Sequence, residues 1–134
     1  MKYKNIWENV LNPLELNEDN RGKIVDVFYN ENINHVAVIN SKPNVVRGNH
    51  YHKLTTQHIL ITKGSLTYWY KEYNSENYAK SIELFEGDFV STPPLEIHAL
   101  KIGNSGNQFV VFSSGLRGGK DYEQDTFRVE NIIV

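Results

Sequence analysis

The 134 residues carry 14 Lys+Arg against 16 Asp+Glu, a formal net charge of −2, with 40% hydrophobic and 12% aromatic content. That balance suits a single globular domain, 1–134, with a real core, and lacks the basic stripe of a nucleic-acid module. Cysteine is absent, which excludes disulfides and thiolate chemistry and limits any metal to nitrogen and oxygen ligands. No apolar run approaches the roughly 18 residues of a membrane span, and no apolar signal core follows Met1. A cytoplasmic protein without membrane or nucleic-acid partners is therefore expected.

In chain order, residues 1–16 read as an N-terminal arm or edge strand, with Ile6, Trp7, Val10, Leu11 and Leu14 interrupted by Pro13. Asn17 to Gly22 is a polar turn and Lys23 to Tyr29 an alternating strand. His35 to Ile39 is a short β-branched strand, and Lys42-Pro43-Asn44 a turn. Gln57 to Thr62 and Leu66 to Tyr70 read as a hairpin closed by Lys63-Gly64-Ser65. Ser81 to Phe85 and Phe89-Val90 follow, split by Glu86-Gly87-Asp88. Ile97 to Ile102 and Gln108 to Phe112 flank a turn at 103–106, and Phe127 to Val134 reads as a closing edge strand. The Gly115-to-Gly119 loop lacks the strand–loop–helix context of a phosphate cradle. No window shows a 3.6-residue period, and turn signals recur every 8–12 residues or so, so the fold class is all-β, a sandwich or barrel.

The chemistry concentrates in Arg47-Gly48-Asn49-His50-Tyr51-His52, which holds two of the five histidines. On a strand, residues i and i+2 share a face, so His50 and His52 present two imidazoles together. His98 lies in a second cluster, Gly87 through Pro93-Pro94. His58 alternates away from Gln57 and reads as a packing residue. The run Tyr68-Trp69-Tyr70 by itself denotes core packing or a dimer contact.

The run Gly48-x-His50-x-His52-x4-Gln57-x6-Gly64 resembles the first cupin motif, with Gln57 where a glutamate is usual. Gly87-x5-Pro93-x-Leu95-x2-His98 resembles the second, with Leu95 in place of a glycine. This resemblance implies a double-stranded β-helix, the cupin jelly roll, with its barrel over 17–130. Asp19-x-Arg21-Gly22 and Arg47-Gly48-x-His50 are similar to the sugar-nucleotide cupins. These include the dTDP-4-keto-6-deoxyglucose 3,4-ketoisomerases and the dTDP-4-dehydrorhamnose 3,5-epimerases. The stretch Ser41-Lys42-Pro43 through His52, with Pro93-Pro94, His98 and Asp125-Thr126-Phe127, is similar to the cupin domain of capsular-polysaccharide synthesis enzymes.

The resemblance implies an isomerase or epimerase of a nucleotide-linked 4-keto-6-deoxy sugar in surface-polysaccharide synthesis. His50 is then the base that removes a proton beside the carbonyl, a task suited to an imidazole near neutral pH. His52 is a second proton carrier or stabilises the enediolate, and Tyr70 or Tyr68 supplies a phenolic proton. Arg47 and Arg21 bind the diphosphate, and Gln57 contacts substrate. The 3,5-epimerases usually carry a lysine where His58 stands, which counts against that activity. An alternative gives His50, His52, Gln57 and His98 to a divalent metal, Zn, Ni, Fe or Mn, as in a dioxygenase; another is a non-catalytic sugar-binding cupin. No organic cofactor is implied, and a homodimer is.

Overall fold

The computed structural model describes residues 1–8, 16–115 and 123–134. Its strands are β1 (Lys2–Asn5), β2 (Leu16–Asp19), β3 (Gly22–Val25), β4 (His35–Ser41) and β5 (Val46–Tyr51). They continue as β6 (Thr56–Glu72), β7 (Lys80–Leu84), β8 (Asp88–Thr92), β9 (Glu96–Ser114) and β10 (Phe127–Arg128). Among the described residues no helix is long and apolar enough to cross a membrane. The all-β expectation holds.

β6 and β9 organise everything else. They run antiparallel from Glu72↔Glu96 to Thr56↔Ser114, with register shifts between Ile61 and Leu66. At those shifts both strands bend, so one hydrogen-bonded sheet folds back into two layers. One layer runs β7, the second half of β6, the first half of β9, β5 and β10. The other runs β1, β8, the first half of β6, the second half of β9, and β4.

The predicted hairpin of Gln57 to Thr62 with Leu66 to Tyr70 is therefore corrected, and so is the turn at 103–106. The flanks of Lys63-Gly64-Ser65 do not pair with each other, nor do those of 103–106; each belongs to one long strand that pairs with the other. The glycine signals were real but mark corners. Gly64 takes φ +74°, and a Cβ there would sit 2.3 Å from the carbonyl oxygen of Gly106, itself at φ +74°. Only a residue without Cβ lets the two corners cross this closely.

Period-2 alternation supplies the core. Gln57, Ile59 and Ile61 point inward on β6, while His58 and Leu60 point outward. The interior cluster of Ile59, Ile61, Leu66, Tyr68, Leu84, Val90, Leu100, Ile102, Phe109 and Val111 draws on both layers. Each such side chain contributes on the order of 1.5–3 kcal/mol by leaving water. Asp88 ties β1 to the barrel by accepting from Tyr3 Oη and Asn5 Nδ2, both at 2.9 Å, and also closes its own turn by accepting from Phe85 N at 2.8 Å.

Three local expectations are corrected. The polar run at 17–22 is mostly strand, with β2 and β3 meeting at Asn20-Arg21 in a two-stranded sheet of their own. β3 stops at Val25, so Phe28 and Tyr29 leave the strand. The C-terminal strand is two residues long, because Val129 N turns to Asn49 O at 2.9 Å and Ile132 N to Asn49 Oδ1 at 3.0 Å. Those side-chain and loop partners replace the ladder. Val10, Leu11, Pro13 and Leu14, and most of the Gly115-to-Gly119 loop, lie outside the described residues.

A Gly64→Ala substitution is expected to cost about 1–3 kcal/mol from backbone strain, with more from the clash at Gly106. A lowered urea midpoint at unchanged m-value is the check.

Candidate functional site

The site begins with a bulge. Gly48 lies opposite Ala99 and His50 opposite His98, leaving Asn49 as the extra residue. Gly48 adopts φ +87° and Asn49 φ +56°. A Cβ on Gly48 would stand 2.7 Å from the His98 carbonyl oxygen, so the glycine lets β5 lie tight against β9 and aims His50 across it. His50 and His98 meet edge to face at 4.7 Å between centroids. Tyr70 is the partner of His98 on the other flank, making a row of three across β5, β9 and β6. His52, just past the end of β5, lies 5.0 Å from His50 and 5.6 Å from His98. All three imidazoles are buried, and their candidate ligand nitrogens lie within 4.8 Å of one another.

His52 is held at both nitrogens. Nδ1 is 2.6 Å from the carbonyl oxygen of Asp125, and Nε2 is 3.1 Å from the Gln57 carboxamide. The Asp125 carboxylate accepts from Lys53 N at 2.8 Å, Leu54 N at 3.0 Å, Thr55 N at 2.9 Å and Thr55 Oγ1 at 2.7 Å. Burial pushes its pKa up, but these hydrogen bonds outweigh burial and hold it below the usual carboxylate value.

A cleft of about 260 Å³ opens onto this cluster, walled by Arg47, Gly48, His50, Gln57, His98 and Arg128 with Ile39, Val46 and Leu100. Arg47 donates from Nε to Ser41 Oγ at 2.8 Å and from Nη2 to Asn40 O at 3.3 Å. Arg128, opposite His50 in register, forms a two-pronged pair with Glu123 at 2.8 Å on each prong.

The structure thus brings His50, His52, His98, Gln57 and Arg47 together. It does not bring Arg21, which sits on the β2–β3 hairpin bonded to Asp19, its side chain 85% exposed. Tyr70 shares the histidine row yet packs against the core, outside the cleft wall. Tyr68 is more tightly held: its hydroxyl bonds Thr92 Oγ1, and its ring lies parallel to His98 at 6.2 Å. Burial raises its phenol well above the ordinary value, so it stays protonated.

His58 faces the other way. It bonds Ser91 Oγ through Nδ1 at 2.7 Å and stacks on Phe89 at 5.6 Å. It borders a separate groove of about 910 Å³ with Lys2, Lys4, Phe28 and Tyr29.

Two site residues had no assigned role in the sequence reading. Asp125 carried a signal, the string Asp125-Thr126-Phe127, but not its partners. Arg128 carried none, because a two-residue strand has no readable period.

Three imidazoles and a carboxamide make an acceptable donor set for a divalent metal. Zinc–nitrogen bonds of about 2.0–2.1 Å place tetrahedral ligands roughly 3.3 Å apart, so the histidine rings would have to converge slightly to grip an ion. His50, His52, His98 and Gln57 fit such a centre. With or without an ion, imidazoles beside a cationic rim suit proton transfer on a small anionic substrate.

The polysaccharide biosynthesis C-terminal domain family matches over residues 17–116. No curated protein sequence matches the chain. Among solved structures it is similar to a 3,4-ketoisomerase from Helicobacter canadensis, at 21% identity and TM-score 0.73 over 96% of this chain and 92% of that one. It is similar to the sugar 3,4-ketoisomerase QdtA of Thermoanaerobacterium thermosaccharolyticum in complex with TDP, at 21% identity and TM-score 0.68 over 86% and 83%. It is also similar to the capsular polysaccharide assembling protein CapF of Staphylococcus aureus, at 20% identity and TM-score 0.65 over 87% of this chain. The chain spans 32% of CapF's length. These likenesses establish the cupin jelly-roll fold.

Replacing Asp125 by Asn tests the clamp. A carboxyl held below its ordinary value contributes stability above the unfolded pKa, near 4, and loses it as pH falls through the folded value. Asp125→Asn should lower stability by about 1–3 kcal/mol at pH 7 and flatten the acid limb of melting temperature against pH.

Proposed function

The chain belongs to the polysaccharide biosynthesis C-terminal domain family, matched over 17–116, and on that footing we propose that it is an isomerase or epimerase of a nucleotide-linked 4-keto-6-deoxy sugar. One observation carries the reading: His50 and His98, two of the three clustered buried imidazoles, line a small cleft bordered by Arg47 and Arg128. Drug-sized ligands fill pockets of roughly 300–1,000 Å³, so about 260 Å³ suits the sugar ring alone. The nucleotide then lies outside, with its diphosphate on the rim arginines.

Both nitrogens of His52 are engaged by Asp125 and Gln57, and His50 lines the cleft, which supports His50 as the base. It takes the proton from the carbon beside the keto group. His98 and Gln57 line the cleft beside the reacting carbons, and the proton returns at the neighbouring carbon or on the other face. The ketoisomerase names of the structural neighbours support the same class of chemistry.

The histidine cluster also supports a second reading with a bound divalent metal, Zn, Ni, Fe or Mn. When bound, it would polarise the substrate carbonyl; His50, His52, His98 and Gln57 would hold it.

We also propose a homodimer. The β2–β3 hairpin pairs with no other strand among the described residues, and an isolated hairpin is marginal in water. On the outer face of β4, Val36 and Val38 are 58% and 63% exposed. A second copy covering both would also bring Arg21 to a neighbouring site. Sedimentation should show a dimer that Val38→Lys weakens; a monomer at all concentrations would exclude it.

The reaction is tested in D2O with dTDP-4-keto-6-deoxyglucose. Deuterium should enter beside the carbonyl, and His50→Ala should slow exchange by a factor on the order of 10²–10⁴. Arg47→Gln should raise KM about tenfold or more with little change in kcat. Exchange that vanishes on chelation and returns with one metal selects the second reading. Binding without any exchange would leave only a sugar-binding role.

A further inference from the structure

We infer that Asp125 is the positioning residue of the cluster: its main-chain carbonyl fixes the ring proton of His52 on Nδ1, and its carboxylate locks the following corner so that Nε2 stays an acceptor facing Gln57. A carbonyl oxygen cannot donate, so the nitrogen 2.6 Å from Asp125 O carries the hydrogen. In a neutral imidazole the other nitrogen, Nε2, then has the lone pair.

The structure sets Gln57 Oε1 3.1 Å from Nε2, which would put an acceptor against an acceptor, so the carboxamide must be turned for Gln57 to donate. Carboxamide oxygen and nitrogen exchange places by a half-turn, so Gln57 presents its NH2 to His52 and its carbonyl to the cleft. Gln57 thereby becomes an oriented acceptor for a substrate hydroxyl, not a donor to an oxyanion.

The clamp has two arms on one residue. One arm is the carbonyl on the His52 ring. The other is the carboxylate on the amides of Lys53, Leu54 and Thr55, the three residues that directly follow His52. Asp125 is 2% exposed, so no water competes for either arm. Removing the carboxylate frees the corner while leaving the carbonyl chemically intact, which separates orientation from mere presence of the acceptor.

The test is a long-range 1H–15N correlation spectrum of histidine-labelled protein, with the His52 ring identified by the signals that His52→Gln removes. Wild type should show a protonated Nδ1 and an unprotonated Nε2. Asp125→Ala should show averaged ring shifts and lose tenfold or more in kcat with KM within about twofold; Asp125→Asn should recover part of both. A wild-type His52 protonated on Nε2 overturns the inference whether or not any variant folds. So does an Asp125→Ala protein that keeps the wild-type ring shifts. The kinetic arm rests on the isomerase reading, whereas the spectrum needs no substrate and stands apart from it.

Discussion

The antiparallel pairing of β6 with β9 is the constraint on which the rest of the molecule depends. Both strands turn the same corner, and the corner exists because Gly64 and Gly106 allow two backbones to approach where any Cβ would collide. Once the corner is made, the second half of each strand faces its own first half across the core. Gln57 and His98 belong to different layers and different strands, yet they wall one cleft. A flat sheet of the same sequence would hold the hydrophobic alternation but have no interior for the imidazoles.

Within that interior, polar groups are buried but seldom idle. Asp125 gathers four donors, Tyr68 is bonded to Thr92, and His52 is engaged at both ends. Unpaired, each would cost on the order of 1–3 kcal/mol; paired, they fix ring orientations more firmly than apolar packing alone. The cationic groups are placed differently, with Arg47 and Arg128 at the rim and partly solvated. The cleft has imidazoles and a carboxamide at its floor and arginines at its mouth, an arrangement that draws an anionic group to the entrance.

Much of this was legible in the sequence. Two histidines one residue apart on a strand had to share a face, and the spacing from Gly48 to Gly64 and from Gly87 to His98 resembled the two cupin motifs. The inward turn of Gln57 and the outward turn of His58 followed from period two alone. The corners did not follow. Lys63-Gly64-Ser65 reads identically as a hairpin turn or a strand bend, since the difference lies in which distant strand supplies hydrogen bonds. Asp125 and Arg128 were hidden for a related reason: their partners are some seventy residues away or across a two-residue strand, and local pattern carries no such information. Arg21 shows the converse, a motif residue that a single copy of the chain does not carry to the cleft.

The course of the β6–β9 ladder also orders how the molecule assembles. Loop-closure entropy favours joining Glu72 to Glu96 first, the pair nearest in sequence, and Thr56 to Ser114 last. Tyr70 and His98 pair two steps after the ladder starts; Gln57 and Ser113 pair one step before it ends. The two walls of the cleft are thus the opening and closing rungs of a single zipper. A chain stalled at the corner would present histidines without their amide partner, and only a fully closed barrel has a complete pocket.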